Sequence, residues 1–196
     1  MNKTFKKIYS FFVRIAIRWW CFWSNIRFRK CVREDINIYE RDFILSLEDV
    51  KKVSNMIYRK FKYKNDGADQ LWDAIVPPPQ NYLNYTNGKI EDDCDGFHSA
   101  IYHCIHKTYE CYLLSVVGPG TGHCLLIFKS NDLWHVLDYT RLYGGKIRLE
   151  DAISEYFKDY KNIYGKEVCC FSLVKYDYDK RKFYRVKMSE VISLYE

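Results

Sequence analysis

No CxxC pair, no long uncharged apolar run and no acid in the first 33 residues occur in this sequence, and each absence removes a class of protein. The eight cysteines stand at 21, 31, 94, 104, 111, 124, 169 and 170, without the paired spacing of a structural zinc site. No A-x-A-like cleavage site follows the first apolar run, which Arg14 and Arg18 interrupt. Reduced thiols in a cytosolic setting are therefore the expectation, rather than a disulfide framework. No apolar stretch approaches the ~20 uncharged residues of a membrane span.

The missing acids also explain the net charge of +6. Of 31 basic residues, nine lie in 1–33, leaving 22 against all 25 acids in the remainder. The basic character thus belongs to the amino-terminal tail. The body, slightly acidic, has no general affinity for nucleic acid, and no nucleic-acid partner is expected.

Length suits one domain with a real core, residues 36–196, preceded by an appendage, residues 1–35. The appendage reads as an amphipathic helix. Phe5, Ile8, Phe12, Ile15, Trp19, Phe22 and Ile26 recur at spacings of three and four, while Lys7, Arg14, Arg18 and Asn25 fall off that stripe. Such a stripe can lie in a membrane interface or dock on protein, either a partner in a larger assembly or the chain's own domain; packing on protein is the simpler expectation.

A second helix begins at Ser46, a cap followed by acids, with Leu47, Val50, Val53, Ile57 and Phe61 on its apolar side. "KNDG" (64–67) breaks it, and the prolines and Asn-Gly of residues 76–88 predict a loop. A helix follows from Cys94, with Phe97, Ala100, Ile101, Cys104 and Ile105 facing a core. His98, Tyr102 and His106 fall on its other side, toward solvent or a cleft. Strands are expected at 111–117, 123–128 and 133–139, the middle one apolar on both faces as a covered central strand should be. A helix at 148–160 and a terminal strand pair within 168–188 complete an α+β order, with the Cys94 helix packed on an antiparallel sheet.

Cys94 stands among Asp92, Asp93 and Asp95, charges that disfavour a thiolate. It also stands where an acidic turn enters a helix, and unpaired amides at a helix start favour an anion. An activated thiol further needs a base and a group to orient that base. His123 opens a strand after "GPGTG", and Asp138 ends the next one. The hairpin between them decides the partner. A two-residue loop, Asn131-Asp132, sets Phe128 opposite His135, puts His123 and Asp138 on one face as diagonal neighbours, and turns His135 away. An odd loop makes His135 the partner instead. The three aspartates could hold calcium, but helix capping accounts for them more economically. Gln80, Asn84 and Trp72 are candidates for an oxyanion donor. The other cysteines, 104, 111, 124, 169 and 170, read as small buried hydrophobes.

The segments "DDCDGFHSAIYHC", "GHCLLIF" and "WHVLDYT" resemble the transglutaminase-like cysteine peptidase superfamily, particularly its short bacterial and phage-type members. The upstream "FKYKNDGADQLWDAIVPPPQNYL" is similar to the family's aromatic lead-in, so the resemblance covers roughly residues 60–143. It implies a papain-like fold and a cofactor-free hydrolase acting on a protein or peptide, with Cys94 as nucleophile, His123 as base and Asp138 as orienter. "KIEDDCDG" departs from the family in lacking a Gly before the Asp-Cys pair. "DCDGF" also resembles the Cys helix of NlpC-type wall peptidases, for which His135 would complete a Cys-His-His set. An inactive member serving as a binding module is the reading from outside enzymology.

Overall fold

The computed structural model describes residues 3–29, 46–64, 74–88, 90–118, 120–168 and 170–187. Trp72, Cys31, Cys169 and most of "KNDG" lie outside these. Among the described residues the order is α1 (Lys3–Arg27), α2 (Leu47–Lys60), β1 (Phe61–Tyr63), α3 (Pro78–Thr86), β2 (Ile90–Asp92), α4 (Cys94–Ile105), β3 (Glu110–Gly118), β4 (Thr121–Ser130), β5 (Leu133–Asp138), β6 (Arg141–Lys146), α5 (Leu149–Tyr164), β7 (Cys170–Asp177) and β8 (Lys182–Val186). The last six strands form one antiparallel sheet in the order β6-β5-β4-β3-β7-β8, while β1 and β2 make a short parallel pair. The fold is α+β.

β4 lies inside the sheet and is buried on both faces because each face has its own cover. Leu126 and Phe128 join Phe97, Ile101 and Ile105 of α4 in one core cluster. Leu125 and Ile127 join Ile153, Tyr156 and Tyr160 of α5 in another. A strand sandwiched this way has no polar face to show, which is why its sequence lacks alternation.

The β4–β5 turn is a two-residue loop. Asn131 and Asp132 both take positive φ, 49° and 61°, as a type I′ hairpin requires, and Asn and Asp tolerate that region better than most residues. The register pairs Phe128 with His135 and Leu126 with Leu137. The even loop is therefore realised, and alternation turns Asp138 and His135 to opposite faces.

Two sequence expectations need correction. Residues 78–86 are a helix rather than a loop. Pro78 and Pro79 occupy its first turn, where a missing amide hydrogen costs nothing and the fixed φ suits the helix. The second correction concerns α1. Its docked face is not the predicted stripe but the opposite side of the helix, with Val13, Ile17, Cys21 and Ser24 buried against the body. Asn25 fixes the docking by bonding both backbone groups of Phe183 on β8, Nδ2 to the carbonyl at 2.9 Å and Oδ1 from the amide at 2.7 Å. Near the other end, the Tyr9 hydroxyl donates to the Gly118 carbonyl at 2.9 Å. Gly118 has no room for a side chain, since a Cβ there would stand 1.9 Å from the backbone oxygen of Glu167.

Candidate active site

α4 begins at Cys94, and Asp93 is its cap, accepting the Asp95 amide on Oδ1 at 3.0 Å. Asp92 in turn accepts the Asp93 amide at 2.9 Å. Two of the three aspartates thus hold the turn that presents Cys94. Their ligand atoms and that of Asp95 all lie within 4.8 Å of one another, so capping has gathered a compact acidic cluster directly before the thiol.

The thiol of Cys94 is half-buried, and its Sγ accepts the backbone amide of Cys124 at 3.3 Å. Cys124 follows His123, so the sulfur lies against the peptide just after the candidate base. An amide donated to sulfur favours the thiolate over the thiol.

His123 Nε2 lies 2.8 Å from Asp138 Oδ1. A carboxylate only accepts, so Nε2 carries the proton and Nδ1 is left as the ring's proton acceptor. Asp138 is itself tightly held: its Oδ2 receives the Tyr156 hydroxyl at 3.1 Å and the Tyr164 hydroxyl at 3.0 Å. Burial alone would raise the Asp138 pKa, but the bond to His123 and its positive charge outweigh that and lower it. The two tyrosines are pushed above their ordinary range, by burial first and by the neighbouring carboxylate second, so both remain donors. They are eight residues apart on α5, and nothing in a linear reading connects them to Asp138.

A second missed residue is His98. It was expected toward solvent or a cleft, yet it is fully buried, as is Tyr102, because Tyr139 and strand β7 cover that side of α4. His106, half-buried, stacks on Tyr178 at 3.9 Å. The Nδ1–H of His98 donates to the Cys94 carbonyl at 2.6 Å, and its Nε2 accepts the Tyr139 amide at 2.9 Å. One imidazole thus ties the backbone of Cys94 to the residue after Asp138. Both nitrogens are committed in the neutral form, and burial pushes the pKa down to about 4. The His98 ring is 6.1 Å from that of His123. Because His98 stays neutral, a positive charge in this site belongs to His123.

His135 is elsewhere. Its ring stacks on Phe128 at 5.5 Å and packs so closely on Gly144 that a Cβ there would lie 2.2 Å from its Nδ1. The partner of His123 is Asp138. Of the oxyanion candidates, Gln80 and Asn84 sit on α3 and bond each other at 3.0 Å, and Trp72 lies outside the described residues. Their neighbour Asn81 bonds α4, donating to the Gly96 carbonyl at 2.7 Å. Cys111, Cys124 and Cys170 are buried as expected, while Cys104 is half-buried with Sγ 3.4 Å from the Ala100 carbonyl.

The buried histidines give stability a definite pH dependence. His103 and His106 are also held neutral by burial, their pKa values pushed down to about 3 and about 4. The unfolded chain takes up these protons near pH 6.5, the folded chain only near pH 3–4. Between those limits the unfolded state binds more protons, so stability is complete above about pH 6.5 and falls as pH is lowered. For His98 alone the loss across the window is on the order of 3 kcal/mol. Urea unfolding at pH 7, 6, 5 and 4.5 should show a steadily falling midpoint; a flat profile from pH 7 to 5 would contradict the buried neutral assignment.

Comparison with known proteins adds no assignment: no protein-family model matches the chain, and no curated protein matches it.

Proposed function

We propose that this chain is a papain-like cysteine hydrolase of the transglutaminase-like kind, cleaving an amide through Cys94, His123 and Asp138. The observation that carries the reading is the 2.8 Å His123–Asp138 bond with the Cys94 sulfur bonded to the very next amide. His123 Nδ1 takes the thiol proton, and the thiolate attacks the substrate carbonyl. The C–N bond breaks, the amine leaves with the proton returned by His123, and a thioester remains on Cys94. Water, deprotonated by the same imidazole, then releases the acid and restores the thiol. Asp138 keeps the proton on Nε2 and stabilises the imidazolium. Proteolysis of a protein or peptide is the favoured outcome; deamidation and transamidation use the same residues with a different leaving group or acceptor.

Alkylation by iodoacetamide near pH 7, followed by mass spectrometry, tests the reading. Cys94 should react at least about tenfold faster than free cysteine, whose thiolate fraction at this pH is only a few per cent. Cys104, pushed up by burial, should lag behind both. Equal or slower reaction of Cys94 than of free cysteine leaves an inactive binding module as the better account.

A further inference from the structure

Once α1 is docked, the apolar stripe read from the sequence is left facing outward from Ile8 to Ile26 and is joined by Phe11, while the Phe5 side chain lies outside the described residues. Ile8, Phe11, Phe12, Ile15, Trp19, Phe22 and Ile26 are each between 46% and 60% exposed. Together they present on the order of 700 Å² of apolar surface, more than the largest patch on a typical monomer. The rings adjoin, with Phe11 on Phe12 and Trp19 on Phe22 both at 5.7 Å between centroids. The helix cannot roll to hide this face, because Tyr9 and Asn25 hold it at both ends.

At about 100° per residue, these seven side chains fall within an arc of roughly 100°. Lys7, Arg14 and Arg18, all exposed, lie within about 60° of one edge of it, and α1 contains no acid. An apolar strip with a cationic margin matches a surface that is apolar inside and anionic at its boundary. We propose that α1 binds the surface of an anionic lipid bilayer, lying in its plane with the Phe12–Trp19 strip among the acyl chains and Lys7, Arg14 and Arg18 on lipid phosphates. No described helix is long and apolar enough to cross a membrane, in keeping with a helix that lies along one. A second copy of the chain is a poorer occupant: α1 holds no acid to pair with the cationic margin of another α1, and antiparallel two-fold pairing would bring both margins together. The Tyr9–Gly118 bond also sets the amino-terminal part of α1 beside the β3–β4 turn that leads into His123, so the candidate site is held near the bound surface.

The experiment is co-sedimentation of the full chain with vesicles of phosphatidylcholine alone, or with about 30% phosphatidylglycerol added. The anionic vesicles should bind at least about tenfold more tightly, and about 0.5 M salt should remove most of that advantage. Phe12→Ser with Trp19→Ser should cut binding at least about tenfold while leaving the thermal midpoint unchanged, because both side chains face outward in the folded chain. Arg14→Gln with Arg18→Gln should retain folding and lose the preference for anionic lipid. Failure of the folded wild-type chain to bind either vesicle overturns the proposal. So does a dimer in sedimentation velocity that Phe12→Ser with Trp19→Ser dissolves, without vesicle binding, which would give the face to a second copy.

Discussion

His123→Ala should reduce alkylation of Cys94 at pH 7 by about 10- to 30-fold, returning it to the rate of an ordinary thiol or below. The reasoning begins with charge. Asp93 and Asp95 flank the sulfur in sequence, and both disfavour a thiolate. The amide of Cys124 and the start of α4 favour one, but these are partial charges. Of the two imidazoles beside the site, His123 is the one free to carry a full positive charge, since His98 is held neutral between the Cys94 carbonyl and the Tyr139 amide. Activation therefore depends on one imidazole. Amide hydrolysis, which needs the same group as base and acid, should fall by about 10⁴-fold or more in this variant. Unchanged alkylation in His123→Ala would mean that the helix start alone activates the sulfur, and the acyl-transfer reading would have to be abandoned.

Asp138→Asn should lower hydrolysis by about 10³- to 10⁴-fold, through the tautomer rather than through loss of shape. Asparagine fills the same volume, but the Tyr156 and Tyr164 hydroxyls both donate at the Oδ2 position, so its oxygen is expected to turn to them and its N–H to His123. The proton then no longer has a reason to stay on Nε2, and Nδ1 stops being the acceptor. A stability cost is expected too. The carboxylate accepts His123, Tyr156 and Tyr164 at once, and hydrogen bonds to a charged group contribute about 1.5–3 kcal/mol each. Loss of about 2–4 kcal/mol in urea unfolding at pH 7 is the expected result, since the asparagine oxygen still accepts from the two tyrosine hydroxyls. The difference from wild type should shrink as pH falls below about 3.8, where the unfolded wild-type chain takes up a proton that the folded carboxylate, its pKa lowered, accepts only at still lower pH. Near-normal hydrolysis in Asp138→Asn would remove the residue from its orienting role.

The pairing of His123 with Asp138 was legible before any coordinates as one of two alternatives, because period-two alternation ties the partner to loop parity; the Asn131-Asp132 turn, and with it Asp138 over His135, comes from the structure. The covered central strand was equally plain from its continuous apolar run. What sequence periodicity cannot supply is the identity of whatever covers a polar face. α4 has one apolar side and one side bearing His98 and Tyr102, and the usual inference sends the second side to water. Here it is packed under Tyr139 and β7, and its polar atoms are matched to backbone groups 41 and 74 residues away. Tyr156 and Tyr164 escaped notice for the same reason. The prolines of α3 were misread because their effect depends on position, forbidding a helix interior yet favouring its first turn. In α1 the strongest stripe was seen, but a weaker one, Val13, Ile17 and Cys21, made the intramolecular contact.

Tyr139 has a positive φ of 49°, gives its amide to His98, and receives the Ser54 hydroxyl on its carbonyl at 2.6 Å. Three segments, α2, α4 and β5, thereby meet on the two backbone groups of one residue. The Tyr139 amide is consequently a natural clock for the integrity of the site. Its exchange with deuterium requires the His98 strut to open, and that opening frees the Cys94 carbonyl at the same moment. Once the intrinsic slowing of exchange at lower pH is divided out, protection at this single amide should fall as pH drops from about 6.5 toward 4, as protonation of His98 removes its acceptor, and should fall further than protection within β4.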